Sequence, residues 1–136
     1  MALDIKWIKR NIPEGDLQLL TTCNASGVLR LTQSNYGIDQ TTYFRNNVFN
    51  SLTWIVTDGK EMASATFKLE TNGQDRGLFR LNLSHKPSWE AEQSNYTTGL
   101  HWGTAIGVIQ DDSLIGKTLT LYEAIDEGYD YLITIE

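Results

Sequence analysis

The chain has 136 residues, 40% of them hydrophobic and 21% charged, which is the composition of a globular domain long enough to bury a core. Its net charge is −6, and the basic residues are scattered, so we expect it not to bind nucleic acid. No apolar run is long enough to span a bilayer, and the N-terminus lacks the apolar region of a signal peptide. We therefore expect a protein without a transmembrane segment, either cytoplasmic or secreted without a recognisable signal peptide.

In the first half of the chain, short segments of alternating apolar and polar residues are separated by turn residues, a pattern typical of β-strands. We expect Ile5, Trp7 and Lys9 to share one face of the first strand. The segment 60–65 is compatible with the start of a short helix. The strands predicted here cover 3–10, 17–23, 28–33, 48–57 and 66–70.

The second half continues the pattern, with turns predicted around Asn72-Gly73, Asp111-Asp112 and Asp126-Glu127-Gly128. Its predicted strands cover 79–83, 104–109, 117–124 and 129–135. Altogether the sequence predicts an all-β protein with a single domain over 1–136, an antiparallel β-sandwich or closed barrel of about 8–10 strands. The residues predicted to form its core are Trp7, Trp54, Phe79, Leu81, Leu119, Leu121, Ile133 and Ile135.

The sequence contains no catalytic motif that names a reaction. Its only histidines are His85 and His101, and neither accompanies a recognisable serine or cysteine nucleophile motif. Together with Cys23 they are too few and too dispersed for a zinc cluster. The acidic residues at the hairpin tips could supply oxygen ligands for calcium, but turn chemistry also explains them. We therefore predict no catalytic residues, no metal and no cofactor.

Two polar segments rich in aromatic residues, 34–50 and 84–103, stand out from the strands. A sugar presents an apolar C–H face and a set of hydroxyl groups, and an aromatic ring flanked by amide or imidazole groups suits both. We accordingly expect Trp89 and Trp102 to be more exposed than Trp7 and Trp54. The alternative is that these aromatic residues only cap the end of the fold. The predicted ligand-binding residues are Tyr36, Asn50, Trp89, Asn95, Tyr96, His101 and Trp102.

The leading hypothesis is therefore a lectin-like, carbohydrate-binding module whose partner is a glycan or glycoconjugate. A second hypothesis is a non-catalytic structural or assembly subunit, or a membrane-targeting subunit such as a toxin component. A small hydrolase is the third. We also predict a homo-oligomer, because Ile5, Ile8 and the segment 131–135 put apolar residues on both faces of the terminal strands, which often lie at sheet edges.

Overall fold

The computed structural model of the protein describes residues 2–19, 27–31, 38, 42–86 and 98–136. These residues form eight strands and four short helical turns. The strands are Ala2–Lys9 (β1), Val28–Leu31 (β2), Ile55–Thr57 (β3), Lys60–Thr71 (β4), Gln74–His85 (β5), Thr98–His101 (β6), Leu119–Ile125 (β7) and Tyr131–Ile135 (β8). The helical turns are Phe44–Val48 (π), Gly103–Ala105 (3₁₀), Ile106–Ile109 (α) and Asp112–Leu114 (3₁₀).

All eight strands belong to one sheet, in the order β1-β7-β8-β4-β5-β6-β2, with β3 paired to β4. The pair β4–β8 is parallel, whereas the other pairs are antiparallel. The sheet curls into a half-barrel. The protein is therefore mostly β-structure, as predicted. The described strands form one mixed sheet, in which six of the seven strand pairs are antiparallel.

The concave side of the half-barrel holds the hydrophobic core. Along β4, every second residue from Ala63 to Leu69 is buried, as expected for a strand with one face against a core. Side chains from both ends of the sheet, β1 and β2, converge on the same centre and leave no room for a water molecule. This centre is therefore a packed core. It is lined by Trp7, Leu29, Leu31, Phe49, Phe67, Leu100, Leu119, Leu121 and Ile133.

Most of the predicted core is confirmed, with two residues at its margin. Trp54 and Phe79 are only half-buried and pack against the outside of the cluster. The remaining predicted residues are buried: Trp7, Leu81, Leu119, Leu121, Ile133 and Ile135.

The first strand contains a β-bulge. Its register against β7 shifts between Ile5, which is opposite Tyr122, and Trp7, which is opposite Leu121. An inserted residue reverses the alternation of faces. Ile5 is therefore exposed while Trp7 is fully buried, and the prediction that they share a face is wrong.

The predicted strand over 48–57 is wrong over most of its length. Phe44, Val48 and Phe49 are all buried, and this spacing of four and five residues suits a helical turn rather than a strand. Only Ile55–Thr57 is extended. The chain then turns at Asp58-Gly59, and both residues adopt the positive φ angles (52° and 79°) of a tight hairpin.

Three other segments differ from the predictions. Residues 60–65 belong to β4 and are not helical, and residues 14–18 form turns where a strand was predicted to begin at 17. The segment 104–109 is helical, because Ala105 and Ile109, four residues apart, are buried on one side of it.

The two terminal strands have different positions in the sheet. β1 lies at an edge, with Leu3 and Ile5 exposed. β8 lies between β7 and β4 and is buried along its whole length, so the prediction that 131–135 forms an exposed edge is wrong. The apolar character of β8 is explained by burial on both faces.

Candidate functional site

The ends of four neighbouring strands meet in one row at an end of the half-barrel. Leu31 of β2 is opposite Thr98 of β6, which is opposite His85 of β5, which is opposite Glu61 of β4. Leu31 precedes residue 32, and the segment 87–97 lies between β5 and β6. Leu31, three residues before the first polar, aromatic segment, therefore lies in the same row as His85 and Thr98 of the second.

A cluster of polar and aromatic side chains, which we call the mouth, occupies this end. We define the mouth as Arg45, Trp54, Glu61, His85 and Thr98. Arg45 donates to both carboxylate oxygens of Glu61, at 3.3 Å from Nε and 3.0 Å from Nη2. Its guanidinium carbon also lies 4.6 Å from the centre of the Trp54 ring. Such bidentate and stacked contacts hold an arginine in one geometry.

Trp54 presents a partly exposed ring at the mouth. Its Nε1 donates to the carbonyl oxygen of Phe49 at 3.0 Å, which fixes the orientation of the indole. The ring of His85 lies edge-on to it, with the ring centres 6.4 Å apart. The mouth thus combines a fixed aromatic plane with charged hydrogen-bonding groups at its rim.

The mouth holds a carboxylate and a neutral imidazole. The hydrogen bond from Arg45 lowers the pKa of Glu61 below its usual 4.5, so Glu61 is ionised at neutral pH. Burial lowers the pKa of His85 below its usual 6.5, outweighing the opposing effect of Glu61. The His85 Nδ1 lies 2.8 Å from the Thr98 hydroxyl oxygen, which satisfies this buried ring.

A second histidine pair lies on the convex face of the sheet. His101 Nε2 is 2.9 Å from Ser84 Oγ, and burial together with the charge of Lys60 lowers the pKa of His101. A neutral imidazole beside a serine hydroxyl is part of a hydrolytic dyad. Ser84, however, is 2% exposed and sits within a strand paired on both sides, opposite Met62 and Gly99. A nucleophile needs access to its substrate, so this pair fits a structural hydrogen bond better.

The opposite end of the half-barrel, which we call the closed end, buries Trp102. The prediction that Trp102 is more exposed than Trp7 and Trp54 is wrong, because its ring is 0% exposed. The indole Nε1 donates to the carbonyl oxygen of Asp16 at 3.3 Å, and the Trp102 amide donates to Gly27 at 2.8 Å. A fully buried ring has no free face on which a sugar could stack.

The closed end is sealed by Gln18, which is itself buried. Its Oε1 accepts from the Gly27 amide at 2.8 Å, and its Nε2 donates to the carbonyl oxygens of Gly15 and Val28, each at 3.3 Å. Gln110 Nε2 donates to the Gln18 carbonyl oxygen at 2.7 Å. These bonds tie the turn at 14–18 to β2 and to the helical turn that ends at Ile109.

The other predicted ligand-binding residues are not brought together by the described part of the chain. His101 is half-buried on the convex face, away from the mouth, and Asn50 is exposed in the turn after the π-helical segment. Tyr36, Trp89, Asn95 and Tyr96 lie outside the described residues. Sequence reasoning missed the grouping of Arg45, Glu61 and His85, because the contact of a helical turn with two strand ends leaves no periodic signal in the sequence.

In the described ranges, no three His, Cys, Asp or Glu side chains group together as a metal cluster would require. Asp111 uses its carboxylate to accept from the Ser113 amide at 2.9 Å.

None of the helical segments in the described ranges is long and apolar enough to cross a membrane. The chain matches no known family model and no curated protein.

Proposed function

We propose that this chain is a carbohydrate-binding module whose glycan ligand binds at the mouth, between the two polar, aromatic segments. The observation that carries the proposal is the pairing of Leu31 with Thr98 and of Thr98 with His85. This register brings Leu31, which precedes the first segment, to the same row as His85 and Thr98 of the second segment.

The chemistry of the mouth suits a sugar. The Trp54 ring supplies an apolar plane that is already oriented, and Glu61 supplies carboxylate lone pairs that accept from hydroxyl groups. Because Arg45 satisfies part of the Glu61 carboxylate, desolvating that charge on binding costs less than for an isolated carboxylate. Groups that are fixed before binding also lose little side-chain entropy.

We propose that Tyr36 and Asn50 of the first segment and Trp89, Asn95 and Tyr96 of the second contact the ligand. Trp102 is left out because it is fully buried at the closed end. His101 is left out because it lies on the convex face.

The test is a glycan array probed with the purified protein, followed by calorimetry with the best sugar. We expect Trp89→Ala and Tyr36→Ala, one from each segment, each to weaken binding by about 30-fold, the scale of a lost aromatic anchor. Leu78→Ala is the control, because Leu78 is exposed on β5 far from the mouth. Loss of binding in only one of the two aromatic variants contradicts a shared site. Absence of binding to every arrayed glycan contradicts the function.

A second candidate function, that of a non-catalytic assembly subunit, is favoured by a different part of the molecule. The strand β3 carries two strongly exposed apolar residues, Ile55 and Val56. An exposed apolar strand at a sheet edge is a surface on which another strand can pair.

A further inference from the structure

Among the described residues, β3 has a neighbouring strand on one side only, which is β4. Its apolar residues are the most exposed large hydrophobic side chains there, Ile55 at 62% and Val56 at 73%. Successive residues of a strand point to opposite faces, so both faces of β3 present apolar surface to solvent. A partner that packs on one face alone leaves the other face exposed.

Other one-sided strands of the sheet carry charged side chains. β1 contains Asp4, Lys6 and Lys9 together with its bulge. The part of β5 that pairs only with β4 among the described strands, residues 74–81, contains Asp75, Arg76 and Arg80. Charges and bulges are the usual means by which a protein prevents its sheet edges from pairing with another chain. The segment 53–57, Thr-Trp-Ile-Val-Thr, has neither charge nor proline, and its residues favour strands.

The backbone of β3 is also arranged for pairing. The two-residue turn Asp58-Gly59 places Thr57 opposite Lys60 and Ile55 opposite Met62. In an antiparallel hairpin of this type the pair that flanks the turn is hydrogen-bonded, and the next residue directs its amide and carbonyl to the other side. Val56 therefore directs both groups away from β4.

We propose that two copies of this chain associate by pairing their β3 strands antiparallel, with Val56 opposite Val56 of the partner subunit. In this register Ile55 lies opposite Thr57 in both directions, so the strand is complementary to itself. Each copy carries a net charge of −6, and the uncharged segment 53–57 lets two copies meet without bringing like charges together. Pairing gives the side chains on both faces of β3 a cross-strand neighbour, which a flat partner surface does not.

Two consequences follow from the size and position of β3. A strand of three residues forms a small interface, so we expect a weak dimer that appears as concentration rises. Val56 is opposite Glu61, so the pairing also brings two mouths next to each other. The presence of two glycan sites per dimer rests on the proposed function, whereas the dimer itself does not.

The first test is sedimentation equilibrium over a range of concentrations, for the unmodified protein, Val56→Lys and Leu78→Lys. We expect the unmodified protein and Leu78→Lys to shift from monomer to dimer and Val56→Lys to weaken association at least 10-fold, because it places two lysines opposite each other. Leu78 is the matched control, since it is 55% exposed on a charged edge. The proposal is overturned if the unmodified protein stays monomeric, or if Val56→Lys dimerises as strongly as the unmodified protein.

A second test fixes the register without relying on affinity. In a Cys23→Ser background, Val56→Cys should give a covalent dimer under mild oxidation, because directly opposed residues of antiparallel strands lie within disulfide range. The same background with Leu78→Cys should remain monomeric. Equal crosslinking of the two variants contradicts the Val56 pairing. Circular dichroism of each variant against the unmodified protein checks that the fold is kept.

Discussion

Trp102 and Trp54 lie at opposite ends of the half-barrel and have opposite surroundings. At the closed end, Trp102 is fully buried and its polar atoms bond to the backbone of Asp16 and Gly27. At the mouth, Trp54 is half-buried, and a charged pair, Arg45 and Glu61, stands beside it. At the closed end the charged groups, Lys9 and Asp16, pair with each other and are only 17% and 15% exposed. The charged pair at the mouth, Arg45 and Glu61, is more accessible to water, at 25% and 34%. Binding chemistry needs the second arrangement.

The largest expected effect that distinguishes the ends comes from removing the two rings. We expect Trp102→Ala to lower the free energy of unfolding by about 3–5 kcal/mol, because a large cavity opens in the core. Trp54→Ala should cost clearly less, since its half-buried ring leaves less of a cavity. Urea denaturation followed by circular dichroism measures both values. If Trp54→Ala proves the more destabilising variant, the two ends do not differ in the way described.

A smaller effect is expected from the glutamine that seals the closed end. Gln18→Ala leaves the Gly27 amide without its acceptor in a partly buried place, which should cost about 1–3 kcal/mol. Gln110→Ala serves as the control, because Gln110 is exposed and donates one bond to a backbone carbonyl. Equal losses in the two variants would show that the Gln18 side chain is not what closes this end.

The pH dependence of stability should reflect both histidines. His85 and His101 have pKa values lowered by burial, so below pH 6.5 the unfolded chain binds protons that the folded chain does not. Stability is therefore greatest above pH 6.5 and falls as the pH decreases toward the lowered values. Urea midpoints at pH 7.5 and 5.5 measure the fall. We expect His85→Gln and His101→Gln each to reduce this loss of stability. If the loss is unchanged in both variants, other groups cause it.

The smallest expected effect concerns the charged pair at the mouth. Arg45→Lys keeps the charge but loses the bidentate geometry and the flat stacking surface, and the partly exposed pair should change stability by less than about 1 kcal/mol. The pKa of Glu61 should rise toward 4.5, because the Arg45 hydrogen bond is the main cause of its lowering. Carbon-detected NMR of the Glu61 carboxylate measures this. Arg80→Lys, at an exposed ion pair, should leave that pKa unchanged.

The sequence predicts the strand content well where one face of a strand is buried. The alternation of Leu81 and Leu83 with exposed neighbours identified β5, and the turn at Asn72-Gly73 was predicted from residues that accept a positive φ. The prediction of strands from alternating residues fails where apolar residues fit both helical and strand spacing. Phe44, Val48 and Phe49 are buried at helical spacing inside a segment that also reads as a strand.

The candidate site was harder to predict than the fold. Trp102 continues the inward alternation of Thr98 and Leu100 in β6, and this period-two signal marks it as core in spite of its polar neighbours. The contact between Arg45 and Glu61 has no comparable signal. It depends on how a helical turn meets a strand sixteen residues later, which no local pattern records.

The position of β8 has a consequence for how the protein folds during synthesis. Among the described strands β8 comes last along the chain, yet it lies in the interior of the sheet, where it joins β7 to β4. Until residues 131–135 leave the ribosome, the hairpin partners β4 and β5 can pair, but β1 and β7 have no strand through which to reach them. The sheet therefore becomes continuous only when β8 pairs with both β7 and β4. Folding of this kind is slow, because its decisive contacts join residues far apart in the sequence.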